Sequence, residues 1–129
     1  YLDGGCSCKI PYQWAIDQGF EKIVVIKTRH ADYRKNLKKA SETSLAHRIY
    51  HTHPEFAHVL EQSDAAYNHQ CDELEQLAKE GRIYLVSPSV PMKISRLEEN
   101  MEKLGHLYAR GYKDAKDQME QLKAYLGMK

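Results

Sequence analysis

At 129 residues the chain has the length of one ordinary domain, which leaves no room for two independent large cores. Nineteen Lys and Arg against eighteen Asp and Glu leave a formal charge of +1, which excludes the broad basic face of a dedicated nucleic-acid binder. With 42% hydrophobic and 29% charged residues the composition is that of a folded chain, and its longest near-continuous apolar run, Ile23 to Ile26, is far below the roughly 20 residues of a membrane-spanning helix.

The chain opens on Tyr1-Leu-Asp-Gly-Gly5 without an initiator Met, so further residues are expected ahead of it. By residue type Asp3-Gly4-Gly5 is a turn whose Asp accepts a local backbone bond, with glycines that permit positive φ. The overlapping stretch Gly5-Cys-Ser7-Cys-Lys9 only approximates the Gly-x-Ser-x-Gly nucleophile elbow. Lys stands where the second Gly belongs and the segment does not join a strand to a helix, so Ser7 is not expected to be a nucleophile. Cys6, Cys8 and Cys71 are too sparse for a disulfide scaffold and point to a reducing, cytoplasmic compartment.

Pro11-Tyr-Gln-Trp-Ala-Ile-Asp-Gln-Gly19 has Pro at a helix start and Gly at a C-terminal cap, which predicts a short helix. Glu21 to Thr28, with its β-branched centre, predicts a parallel strand covered on both faces. From Arg29 to His53 the chain carries six Lys or Arg against two acids, and the remainder thirteen against sixteen. That stretch is either a solvated insertion or a basic lid that brings Tyr33 and Leu37 to an anionic lipid surface. His47, His51, His53 and His58 lack the carboxylate or Cys of a recognisable ligand set, and no metal is expected.

Phe56, Leu60, Ser63, Tyr67, Cys71, Leu74 and Ala78 recur at helical spacing between Pro54 and Gly81, predicting a long crossover helix. Arg82 to Ser87, closed by Pro88-Ser-Val-Pro91, predicts a second strand. Strand, helix and strand in this order form a parallel unit, and the fold class is α/β with a partial sheet. Ser95-Arg-Leu-Glu98 matches a capping box for a helix with the stripe Leu97, Met101, Leu104 and Tyr108. A last helix follows Gly111 with Tyr112, Ala115, Met119, Leu122 and Leu126 on one side. These C-terminal stripes are expected to pack on the α/β part, because the opposite faces mix acids with bases.

The opening Tyr-Leu-Asp-Gly-Gly, the Ile10-Pro11 turn, the Ala-Ile-Asp-Gln-Gly helix and the Ile-Val-Val-Ile-Lys-Thr-Arg strand together resemble the back half of a bacterial patatin-like phospholipase. Tyr67-Asn68, Gly81-Arg-Ile, Ser87-Pro88-Ser89 and Leu107-Tyr-Ala-Arg-Gly-Tyr112 are similar to that family's esterase branch with a helical C-terminal extension. The resemblance implies an α/β portion over residues 1–92 and a packed extension over 93–129. It implies ester hydrolysis by a Ser-Asp dyad without cofactor, in which Asp3 is the base, supported by Gly4 and Gly5. The serine and the oxyanion loop would precede Tyr1, so the isolated chain is expected to be inactive.

The implied partners are an acyl-ester or phospholipid substrate, the upstream part of the same polypeptide, a transient membrane-surface contact and a second copy in a homo-oligomer. Ligands of open α/β sheets bind beyond the carboxyl ends of the strands. That rule brings Arg29, His30, Ser87 and Ser89 to a pocket mouth, against the plainer role of such residues in ending strands and capping helices. A non-catalytic α/β interaction or regulatory module is the competing class.

Overall fold

The computed structural model describes residues 3–37, 40–91, 94–95 and 97–128, with the backbone alone for 40–44. Two compact units interleave along the chain: Tyr1–Gly19 with Arg34–Gln76, and Phe20–Tyr33 with Leu77–Lys129. Among the described residues there are five α-helices and a two-stranded parallel sheet, a mixed architecture that agrees with an α/β class.

The first unit begins with a 3-10 turn, Gly4–Cys6, and continues into α1 (Tyr12–Asp17), α2 (Ala40–Ile49) and most of α3 (Pro54–Lys79). Both helices predicted here fall where their punctuation sets them. α1 follows Pro11 and ends before Gly19, whose φ of +80° is the left-handed conformation that only glycine adopts without strain. α3 starts on Pro54, which has no N–H to leave unpaired, and Gly81 at φ +71° lies just beyond its end.

The most buried residues of this unit are Tyr12, Ala57, Cys71 and Leu74. Tyr12 donates its phenol proton to Glu73 on α3, and its pKa is pushed up by burial first and by the Glu73 hydrogen bond and charge next. At the end of α2, Tyr50 meets Phe56 edge to face at 4.9 Å.

The basic segment after Tyr33 lies against α3. Arg34 bonds Asp72 at 2.6 Å and Glu75 at 2.8 Å, and Lys35 bonds Asp64 at 2.5 Å. Asn68 clasps the Lys35 backbone in both senses, accepting its N–H at 2.8 Å and donating to its carbonyl at 2.9 Å. Two cations of the stretch expected to attract anionic lipid are therefore held by acids one and two turns apart on one helix face. Leu37 remains exposed.

In the second unit β1 (Val24–Ile26) and β2 (Tyr84–Val86) pair in parallel, Val24 opposite Tyr84 and Ile26 opposite Val86. The predicted parallel pair is present, but β1 is not covered on both faces. Ile23, Val25 and Lys27 are buried, whereas Val24 is 36% and Ile26 74% exposed. With two strands, the sheet leaves one face of β1 largely to solvent and one edge of each strand unpaired among the described residues.

The strand pair is fastened at its start by Tyr125 on α5 (Met119–Leu126). Its hydroxyl accepts from the Ile23 N–H at 3.0 Å and lies 3.1 Å from the Arg82 carbonyl, so one phenol touches both chain segments. Lys22 sits over the same ring at 4.6 Å.

The C-terminal helices differ from expectation in three ways. α4 (Met101–Asp117) starts six residues after Ser95, capped by Asn100, whose side chain accepts from the Glu102 and Lys103 N–H groups. The Ser95–Glu98 match is not its cap: Ser95 accepts from Leu97 and Glu98 from Asn100 in two local turns. The helix also runs through Gly111 and breaks at Gln118, because one interior glycine costs only about 1 kcal/mol relative to alanine.

The expected apolar stripe is packed only in part: Leu104, Leu122 and Leu126 are half-buried. Leu97, Met101, Tyr108 and Tyr112 are 87%, 77%, 76% and 64% exposed. Polar groups also attach the helices to the strand region, beside the Tyr84–Tyr125 ring contact at 5.6 Å: the Gln118 carbonyl accepts from Tyr84 at 3.3 Å, and buried Asp114 accepts from the Ser89 N–H at 3.0 Å and its hydroxyl at 2.7 Å.

The Ser89 amide, and then its hydroxyl, hold the Asp114 carboxyl below the usual carboxylate range. Because the folded value is depressed, this stabilisation is complete above the ordinary aspartate pKa of about 3.9 and is lost as pH falls through the lower folded value. Urea unfolding is expected to show Asp114→Asn losing about 1–2 kcal/mol at neutral pH and little in strong acid. A deficit that is the same at both pH values would contradict this role.

Candidate functional site

Asp3 belongs to the first unit and is exposed. It caps the Gly4–Cys6 turn: Oδ1 accepts from the Gly5 N–H at 2.6 Å and the Asp3 carbonyl from Cys6 at 3.0 Å. Its second carboxylate oxygen has no hydrogen-bond partner among the described residues.

The two glycines serve differently from the expectation of positive φ, which neither adopts. A 3-10 turn uses ordinary right-handed backbone, so the demand for glycine is steric and falls on one position. A Cβ on Gly5 would lie 2.9 Å from Asp3 Oδ1, inside contact distance, whereas nothing stands within 4 Å of one on Gly4. Ser7 donates its hydroxyl to the Gly4 carbonyl at 3.0 Å and closes the turn. Beside it is a small cavity of about 130 Å³ lined by Cys6, Cys8, Ser63 and Gln70. Gln70 donates to the Ile10 carbonyl at 3.2 Å, and its Oε1 is buried without a partner among the described residues.

The larger cleft, about 670 Å³, is in the second unit at the carboxyl ends of both strands. Thr28, Arg29 and His30 reach it directly after β1, and Pro88 and Pro91 after β2. A turn closed by the Tyr33 N–H on the His30 carbonyl at 3.0 Å folds residues 30–33 back. The Arg29 guanidinium consequently lies over the Tyr33 ring at 5.2 Å. His30 Nδ1 accepts from the Asp32 N–H at 3.3 Å, which leaves the proton of the neutral ring on Nε2.

Of the residues expected at a pocket mouth, Arg29 and His30 thus share one cleft. Ser87 and Ser89 do not line it: Ser89 is engaged by Asp114. Asp3 is in the other unit. Of the histidines, His47 Nε2 meets Glu61 at 3.1 Å and His53 Nδ1 meets Thr52 at 2.8 Å, two separate pairs.

Three features were not anticipated. Asp114 and the wall residue Ile94 carry no motif, and Lys27 lies inside a strand end where alternation with exposed Ile26 was the available signal. No described helix is long and apolar enough to cross a membrane.

Residues 53–127 match the family described as Domain of unknown function (DUF6363), and the chain belongs to that family. The matched span holds α3, β2, α4 and α5 and one wall of the cleft, while Asp3 and the Thr28–Tyr33 wall precede it. No curated protein and no solved structure matches the chain.

Proposed function

We propose that this chain is the C-terminal part of a patatin-like serine acyl hydrolase that cleaves carboxylic esters, with Asp3 as the base of a Ser-Asp dyad. The serine would be supplied by sequence ahead of Tyr1. The observation that carries the reading is the setting of the Asp3 carboxylate. One oxygen is pinned by the Gly5 N–H at 2.6 Å, and the other is left to accept a proton. A base oriented through one atom and open at a second is what activation of a hydroxyl nucleophile needs.

The competing reading, a non-catalytic interaction module, is favoured by the exposed apolar row on α4, which a docking partner would cover. Short-chain ester hydrolysis separates the two. The full polypeptide is expected to turn over ester while the isolated 129 residues show nothing above background. Robust hydrolysis by the isolated chain, or none by the full polypeptide, would sink the dyad assignment.

A further inference from the structure

We propose that the cleft at the carboxyl ends of β1 and β2 binds an oxyanion, a carboxylate or phosphate group, carried on an aliphatic chain. The proposal stands whether or not Asp3 serves as a base, since no residue of the Asp3 turn lines the cleft.

The charge comes first. Arg29 is half-buried, rests on Tyr33 at 5.2 Å and has no carboxylate partner among the described residues. Arg34 and Lys35, close by in sequence, are both paired. An arginine stacked on an aromatic ring keeps its planar fork of donors fixed and unspent, the arrangement that suits a two-oxygen anion.

His30 adds a second donor, since the Asp32 N–H occupies Nδ1 and leaves Nε2–H. The one acid lining the cleft, Asp32, is 91% exposed and lies 3.6 Å from His30 Nδ1. One residue before the cleft, buried Lys27 reaches only the Ala31 carbonyl, at 3.4 Å, so the strand end carries a second cation without a carboxylate partner among the described residues.

Shape and lining supply the rest. A volume of about 670 Å³ is several times that of a bare phosphate and falls in the range of small-molecule sites. The wall supplied from beyond β2 is Pro88, Pro91, Ile94 and Ser95, apolar except for the Ser95 hydroxyl, whose oxygen already accepts from the Leu97 N–H at 3.2 Å. Charged donors from the β1 side and a mostly apolar surface from the β2 side fit an anion with an apolar tail, whether a free fatty-acid carboxylate or an alkyl phosphate.

Calorimetric titration of the chain with octanoate, octyl phosphate, octanol and inorganic phosphate tests this. Saturable one-site binding is expected for octanoate, octyl phosphate or both, with octanol and inorganic phosphate at least about tenfold weaker. The relative strength of the two amphiphiles identifies the head group.

Arg29→Gln is expected to weaken the bound amphiphile by about tenfold or more at an unchanged melting temperature, and Arg29→Lys by less. Ile94→Ser is expected to weaken the amphiphiles and leave inorganic phosphate unchanged. Equal binding of octanol, inorganic phosphate as tight as octyl phosphate, undiminished affinity in Arg29→Gln, or no binding of either amphiphile overturns the proposal.

Discussion

On the proposed Ser-Asp dyad, Asp3→Asn is expected to lower ester hydrolysis by the full polypeptide on the order of a thousandfold, with its unfolding transition unmoved. The substitution is selective because the amide oxygen of Asn still accepts from the Gly5 N–H, so the turn keeps its cap. What is lost is the ionised oxygen able to take a proton, and in a two-residue dyad no imidazole stands behind it.

Gly5→Ala provides a graded companion. Its Cβ would stand 2.9 Å from Oδ1, so the carboxylate must swing away, and turnover is expected to fall by about ten- to a hundredfold as the base loses alignment. Gly4→Ala, with open space around its added methyl, is expected to be nearly silent. Wild-type turnover in Asp3→Asn removes Asp3 from the mechanism, and an equal loss in both alanine variants points to the turn as a whole.

The largest stability effect is expected at Leu74. Its side chain is fully buried, and it sits on α3 with Cys71, also at 0% exposure, one turn before it. Truncation to alanine removes buried methyl groups and leaves a cavity that a long helix cannot collapse to fill, which costs about 2–5 kcal/mol. Thermal unfolding should fall by roughly 10 °C for a chain of this size. A loss below about 1 kcal/mol would mean that this helix face is not a packed core in solution.

How far these sites were legible in the sequence depends on the range of the interaction. α3 was read from end to end because six apolar positions and Ser63 recur at one period and its limits are set by Pro54 and Gly81, all local chemistry. The strands were found for the same reason, but not their environment. Ile23 to Ile26 is apolar throughout, and the face that is buried is revealed only by its neighbours.

The cap of α4 shows a different limit. Ser95 and Asn100 are both competent caps, but the helix starts at Met101 with Asn100 bonded to its first turn, while Ser95 is taken up by the Leu97 N–H. Ser89 looked like a pocket residue because its partner, Asp114, is twenty-five positions away. The Asp3 turn was visible as a turn, whereas the close approach to the Asp3 carboxylate that singles out Gly5, and not Gly4, was not.

The tyrosine that fastens the strand pair bears on the order in which the chain assembles. Tyr125 and Ile23 are 102 residues apart, and β1 and β2 are themselves separated by the whole of α2 and α3. Helices grow from neighbours, while these contacts wait for large loops to close. The sheet is thus expected to form late, when three distant segments meet at one phenol. Until then the unpaired backbone of Val24–Ile26 is open to any other strand, and crowding during synthesis is the hazard this topology accepts.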